Sequence, residues 1–263
     1  MRPSGGSPPD PEEPDGDGTP SAGRYAARAV EEIATEIRRG PPEEAPARFC
    51  GAVLRVLRVT DAGVSLLGAG LPAPWCAGGE RAAWLAETQA TLGEGPGVEA
   101  ASTGAAVLVG DLTVDPAARR WPLYAREAVS VGVRASFALP LTGPTDPIGV
   151  LDLSRDTPGP LAGSEYAAAA RIADALATAL AASARGDGGE GHETGVLQRR
   201  WPTGPRGGHD TAHQAVGMIM AQLGIPAAEA LARLRARAFA RGTTVYQTAR
   251  DVVAHRERID PDR

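Results

Sequence analysis

Four arginines, Arg233, Arg235, Arg237 and Arg241, crowd one short stretch near the C-terminus. A guanidinium grips phosphate through a planar fork and stacks on the face of an unpaired base, so a group of them suits a nucleic acid. Helical phase divides the group. With Leu231, Leu234 and Ala238 as the buried stripe and about 100° per residue, Arg233 points away from the core while Arg235 and Arg237 flank it on opposite sides. They do not all face one ligand, and for each the competing reading is a solvated charge, with one salt bridge available to Glu229. Upstream, His213, Gln214 and Gly217 open another helical stretch. A glycine inside a helix costs about 1 kcal/mol relative to alanine. Two reasons stand for Gly217: close approach of a neighbouring helix, or close approach of a nucleic acid.

A second segment with chemical promise is LGEGPGVEA, residues 92–100. Its glycines suit either a loop whose backbone comes close to a ligand or a plain connection with unusual backbone angles. Trp75, Trp84, Trp121 and Tyr124 could line a pocket or pack a core. No histidine occurs before His192, which excludes a histidine-ligated haem in the preceding residues. His209, His213 and His255 are not at metal-ligand spacing, so no metal site is expected. Cys50 and Cys76 are too few for a disulfide framework or a cysteine-built zinc site, and both read as thiols. There is no Walker lysine, paired-histidine metal motif, GxSxG elbow or Cys-His set, so neither enzyme activity nor a cofactor is expected.

These groups sit on an acidic body with a basic tail. The net charge of -5 divides into +5 for residues 196–263, with 11 Arg against 6 acids, and -10 for the remainder. Every one of the 27 cations is arginine, a bias that a GC-rich coding sequence would also produce. At 43% hydrophobic and 22% charged over 263 residues, the chain reads as globular with one large or two modest domains. Arg134 and Asp174 interrupt its longest apolar runs, so no membrane span is expected. The N-terminus lacks an apolar signal core, and the expected location is the cytoplasm.

Periodicity gives the elements that must position the candidate residues. Residues 1–22, with six Pro and five acids, read as a disordered acidic leader. Residues 24–39 read as an amphipathic helix, Ala52–Val59 and Val64–Ala69 as a β-hairpin, and Arg81–Thr91 as a helix. After the Gly/Pro loop come a strand at Ala106–Val109, a helix at Pro116–Val129, and a hairpin of Val133–Leu141 with Ile148–Leu153. Tyr166, Ala169, Ala173, Leu176 and Leu180 form the seam of a long helix. Paired with the helix at 24–39, that seam is expected to make a homodimer across a twofold axis. A glycine-rich linker over 186–208 precedes three short helices, the first closed by Gly224 and the second by Gly242. The third opens on a Thr244-x-x-Gln247 capping box.

HQAVGMIMAQLG (213–224), EALARLRARAF (229–239) and TARDVV (248–253) resemble the ANTAR domain, a three-helix RNA-binding module of bacterial antiterminators, over 209–258. LGEGPGVEA, DLTVDPAARRWPLYAREAVSVG (111–132), GVRASFALPL (132–141) and IGVLDL (148–153) resemble the GAF sensor domain, over 24–185. The pair is similar to actinobacterial GAF and ANTAR regulators. The resemblance implies an α/β GAF domain, an antiparallel sheet with flanking helices, followed by a small all-α three-helix bundle. It implies a signal-responsive, dimeric antiterminator whose bundle binds hairpin RNA in a nascent transcript. The RNA-contacting residues would be His213, Gln214, Gly217, Arg233, Arg235, Arg237 and Arg241. The GAF domain would take a small-molecule ligand at a pocket bordered by Gly95 and Gly97, with Trp121 and Tyr124 as candidate walls. The family pattern often has lysine where this chain has Val216, which removes a cation. That departure keeps open an alternative in which the bundle mediates protein association without RNA. A DNA-binding helix-turn-helix fits less well, because the third helix carries only Arg250 as an internal cation.

Overall fold

The computed structural model describes residues 22–68, 71–114, 116–161, 163–185 and 206–260. The expected leader lies outside the described residues except for Ala22, and the expected linker except for residues 206–208, both of which are helical instead.

Five strands form one antiparallel sheet: β1 (Asp61–Gly68), β2 (Leu71–Ala77), β3 (Val107–Val109), β4 (Ala135–Thr142) and β5 (Pro147–Arg155). They lie in the order β2-β1-β5-β4-β3. The expected hairpin is β4 with β5, closed where Thr142 faces Pro147. Period-two alternation splits its side chains. Phe137, Leu139, Leu141, Leu151 and Leu153 pack on one face, against α1 (Ala22–Arg38), α2 (Ala45–Leu57) and α6 (Gly163–Arg185). Ala138 and Val150 face the other way, under α3 (Glu80–Leu92), α4 (Pro96–Thr103) and α5 (Pro122–Ser130).

Several expectations are corrected. Ala52–Val59 is not a strand; through Leu57 it belongs to α2, and Arg58 ends the helix in a left-handed conformation at φ 49°. Ala45, Phe49, Val53 and Leu57 recur every four residues, and their burial outweighs the β preference of the valines. β1, which takes in the strand expected at Val64–Ala69 as far as Gly68, therefore pairs not with that run but with β2 and β5. The Gly/Pro loop is in part the helix α4, opened by Pro96 in its first turn, where the missing N–H costs nothing. The expected helix at 116–129 divides into a 3-10 turn, Pro116–Arg120, and α5. Cys50 and Cys76 are not thiols: they form a disulfide between α2 and β2, with Cα atoms 6.5 Å apart. Cys50 lies on the buried side of α2.

α1 packs along α6 within a single chain, and Leu176 is 2% exposed there. The seam expected to join two copies is thus largely spent on the protomer's own core.

Three C-terminal helices, α7 (Arg206–Leu223), α8 (Ala227–Ala240) and α9 (Val245–Val253), form the expected bundle. Thr244 caps α9 by accepting a hydrogen bond from the Gln247 amide. The bundle does not stand apart: Leu71, Ala73 and Ala90 of the sheet domain are buried in one apolar cluster with Ile219, Leu231, Leu234 and Tyr246.

Candidate functional site

On α7 the buried stripe is Ala212, Ala215, Val216 and Ile219, which leaves His213, Gln214 and Gly217 together on an exposed face. A Cβ added at Gly217 would meet nothing within 4 Å, so the neighbouring-helix reason for this glycine is overturned. Val216, at 6% exposure, points into the bundle core. Its side chain is part of the packing there.

The arginines of α8 have separate fates. Arg233 pairs with Glu229 at 3.0 Å, the salt bridge available from their spacing. Arg237 pairs with Glu257 at 2.6 Å, and Arg241 joins the same carboxylate. Arg235 turns into the sheet domain, where its Nε donates to the carbonyl of Ala90 at 2.9 Å. Its hydrocarbon stem covers Gly93, whose added Cβ would lie 3.0 Å from the guanidinium. Burial depresses the Arg235 pKa, so the unshared carbonyl at the α3 terminus is a partner it needs.

Two more hydrogen bonds join the domains. The Val245 amide, an orphan donor in the first turn of α9, donates to Thr91 Oγ1 at 3.0 Å. Tyr246 Oη donates to the carbonyl of Pro72, and burial raises the phenol pKa, which keeps that proton in place. α9 therefore has its N-terminus satisfied partly by the sheet domain. None of these partners follows from the sequence, because they join segments far apart in the chain.

Inside the sheet domain the glycine segment makes a close approach, but to the protein itself. The Gly97 amide donates to Gln89 Oε1 at 2.7 Å, while Gln89 Nε2 donates to Asp152 Oδ1 at 3.1 Å. A Cβ on Gly97 would sit 2.6 Å from the Asp152 carboxylate, and Gly95, at φ 131°, would press on Gln89. Glu94 accepts from the Leu123 and Tyr124 amides, fixing the start of α5. The cavity beside Gln89 and Asp152 is about 20 Å³, room for about one water, and neither Gly95 nor Gly97, the expected borders of the pocket, lines it. Tyr124 lines it with Asp61, Gln89 and Asp152; Trp121 does not, and is buried beneath the Arg120 guanidinium instead. Asp61 is clamped by Arg81 at 2.8 Å and by Ser154 at 2.5 Å. Desolvation pushes the Asp152 carboxyl up to about 6. Sequence reading missed Gln89 and Asp152. The one usable signal was Asp152, a charge on an otherwise apolar strand.

A larger cavity, about 290 Å³, opens between α3 and α5 on one side and the α8–α9 turn on the other. Trp84, Glu87, Leu123, Arg126, Glu127 and Phe239 contribute to its walls.

No single described helix is long and apolar enough to cross a membrane. No curated protein matches the chain. Among solved structures, the GAF domain of a Coxiella burnetii phosphoenolpyruvate-protein phosphotransferase superposes with a TM-score of 0.50 at 18% identity, covering 64% of this chain and 99% of that one. The corresponding Acinetobacter domain gives 0.46 at 12% identity, covering 63% and 97%. The first of these supports the fold. The GAF family model matches residues 28–180 and the ANTAR model residues 208–253, the first a sensor domain and the second an RNA-binding antitermination domain. With more than half of its residues in the first match, the chain belongs to the GAF family and carries an ANTAR domain behind its sensor.

Proposed function

We propose that the protein is a signal-responsive antiterminator whose ANTAR bundle binds hairpin RNA in a nascent transcript. The observation that carries this reading is the exposed face of α7. Among the described residues Gly217 has no neighbour to explain it, and it lies beside His213 and Gln214, a donor and a donor-acceptor suited to nucleic-acid edges and phosphates. In the docked arrangement Arg235 is spent on Ala90. The docked form is then the resting state, and the signal frees the bundle. A second copy would add to the outer side of α1 and α6, where Val30, Ala34, Ala175 and Ala179 line a shallow apolar groove.

Filter binding of the full chain to a tandem-hairpin RNA, at several salt concentrations and with scrambled loops as control, tests the reading. Binding that weakens with salt and prefers the native loops is expected. Equal binding to scrambled loops, insensitive to changes at His213 and Gln214, would favour a bundle that only associates with protein. The use of Arg235 in a protein contact favours that second reading.

A further inference from the structure

We propose that the seam between the GAF domain and the bundle is a binding site for a small organic cation, an amine carried on an aromatic body. The inference goes beyond RNA binding and holds whether or not the bundle binds RNA.

Large apolar side chains left exposed are ordinarily scattered singly over a surface. Here Trp84 (37% exposed), Leu123 (37%) and Phe239 (57%) converge on one cavity of about 290 Å³, with walls from both domains. Apolar walls with a few placed polar groups, at a boundary between domains, are the usual form of a small-molecule site. The pocket between the sheet and α3, about 20 Å³ and lined by Gln89, Asp152 and Tyr124, has no room for such a ligand.

The charges choose the ligand's sign. Arg126 and Glu127 neutralise each other at 3.0 Å. That leaves Glu87, whose carboxylate has no ion-pair or hydrogen-bond partner among the described residues. Guanidinium groups lie over Trp121 and Phe137, but among the described residues none lies over Trp84 or Phe239. One uncompensated carboxylate in a wall with two open aromatic rings attracts a monocation through charge and ring quadrupole together, and repels an anion. The hydroxyls of Thr88 and Thr243 lie in the same walls to orient it. Because both domains contribute, the occupied site favours the docked arrangement, and docking in turn favours occupancy.

Titration calorimetry on the full chain tests this with tryptamine and benzyltrimethylammonium as cationic probes and indole-3-propionate as the anionic control. Both cations should bind and the anion should not. Glu87→Gln should weaken tryptamine by about ten-fold, and Phe239→Ala by several-fold, with far-UV circular dichroism unchanged in both. No heat from either cation up to millimolar concentration overturns the proposal. So does anion binding equal to that of the cations, or cation binding indifferent to both substitutions. No RNA enters the measurement, so its failure leaves the antiterminator reading standing, and the failure of that reading leaves this one.

Discussion

The Arg235 guanidinium closes the C-terminal end of α3 by donating to the carbonyl of Ala90. A cation at that helix end meets the negative pole of the helix dipole as well as an unshared acceptor. The interaction makes one side chain serve two masters, because the same arginine is a candidate for RNA. Tyr246 separates the two roles. Its hydroxyl serves only the docked state, through Pro72. If docking masks RNA binding, Tyr246→Phe should raise the apparent RNA affinity of the full chain several-fold, since the affinity scales with the competent fraction. Arg235→Ala should raise it less, or lower it, if the same arginine also contacts RNA, a contact worth roughly 1 to 3 kcal/mol. Filter binding of both variants beside the parent measures the difference; equal increases would remove Arg235 from the RNA interface.

Gly217→Ala is expected to act in opposite directions on stability and binding. The position is exposed with nothing within 4 Å of an added Cβ, so the helix should gain about 0.5 to 1 kcal/mol. RNA affinity should fall if the backbone there touches nucleic acid. Urea denaturation and filter binding on the same variant decide it. A variant more stable and unchanged in binding would show that α7 presents a different face.

What could be read from the sequence was what local patterns encode. The β4–β5 hairpin was legible from alternation and a turn rich in Gly, Pro and Asp, and the three bundle helices from their glycine stops and the Thr244 cap. The helix α2 was not, because Val53 and Val56 mimic a strand while the fold uses the four-residue spacing of Ala45, Phe49 and Val53. The disulfide was missed for a different reason: two cysteines are too few for a framework, and their number says nothing of a single bridge between α2 and β2. The docking of the bundle could not be read from either domain alone, since Leu71 and Ala90 look like ordinary core residues until the three bundle helices cover them. The polar cluster at Gln89 and Asp152 depends on a helix, a loop and a strand meeting.

The disulfide links α2 to β2, the strand whose Leu71 and Ala73 support the bundle. Closing a loop with a sequence separation of 26 is worth about 3.5 kcal/mol through the unfolded chain. Cys50→Ala with Cys76→Ala should lower the denaturation midpoint accordingly, and a reducing agent should do the same to the parent but not to the variant. A midpoint indifferent to reduction would show that the bridge does not form in solution.

Leu176→Glu distinguishes a seam between copies from a seam within one. Leu176 is buried at 2% exposure between α6 and the core that α1 shares. Introducing a carboxylate there leaves a charge without a partner as well as a cavity, a loss of about 4 kcal/mol or more. Size exclusion with circular dichroism should show an unfolded or aggregated chain. A folded monomer, obtained from a dimeric parent, would instead put the side chain at a twofold interface.

Asp152 should make the fold less stable as the pH rises from acid to neutral. Its carboxyl is raised to about 6 by desolvation, above the usual value near 4 in an unfolded chain. Between those two values the folded form holds more protons than the unfolded one, so stability falls as pH increases. Below about 4 both forms are protonated and the group contributes nothing to the slope; above about 6 the cost is complete and constant, about 1 to 2 kcal/mol after allowance for its partial exposure. Gln89 cannot relieve this by turning, because its Oε1 is held by the Gly97 amide and its Nε2 is the end already facing the carboxylate. Asp152→Asn keeps an oxygen for that amide and removes the charge. The variant should be more stable than the parent at pH 7 by that amount, and the two should converge near pH 4. Urea denaturation of both at pH 4.5, 5.5 and 7 measures the curve, and a parent whose stability rises over that interval as steeply as the variant's would show that Asp152 stays ionised in the folded protein.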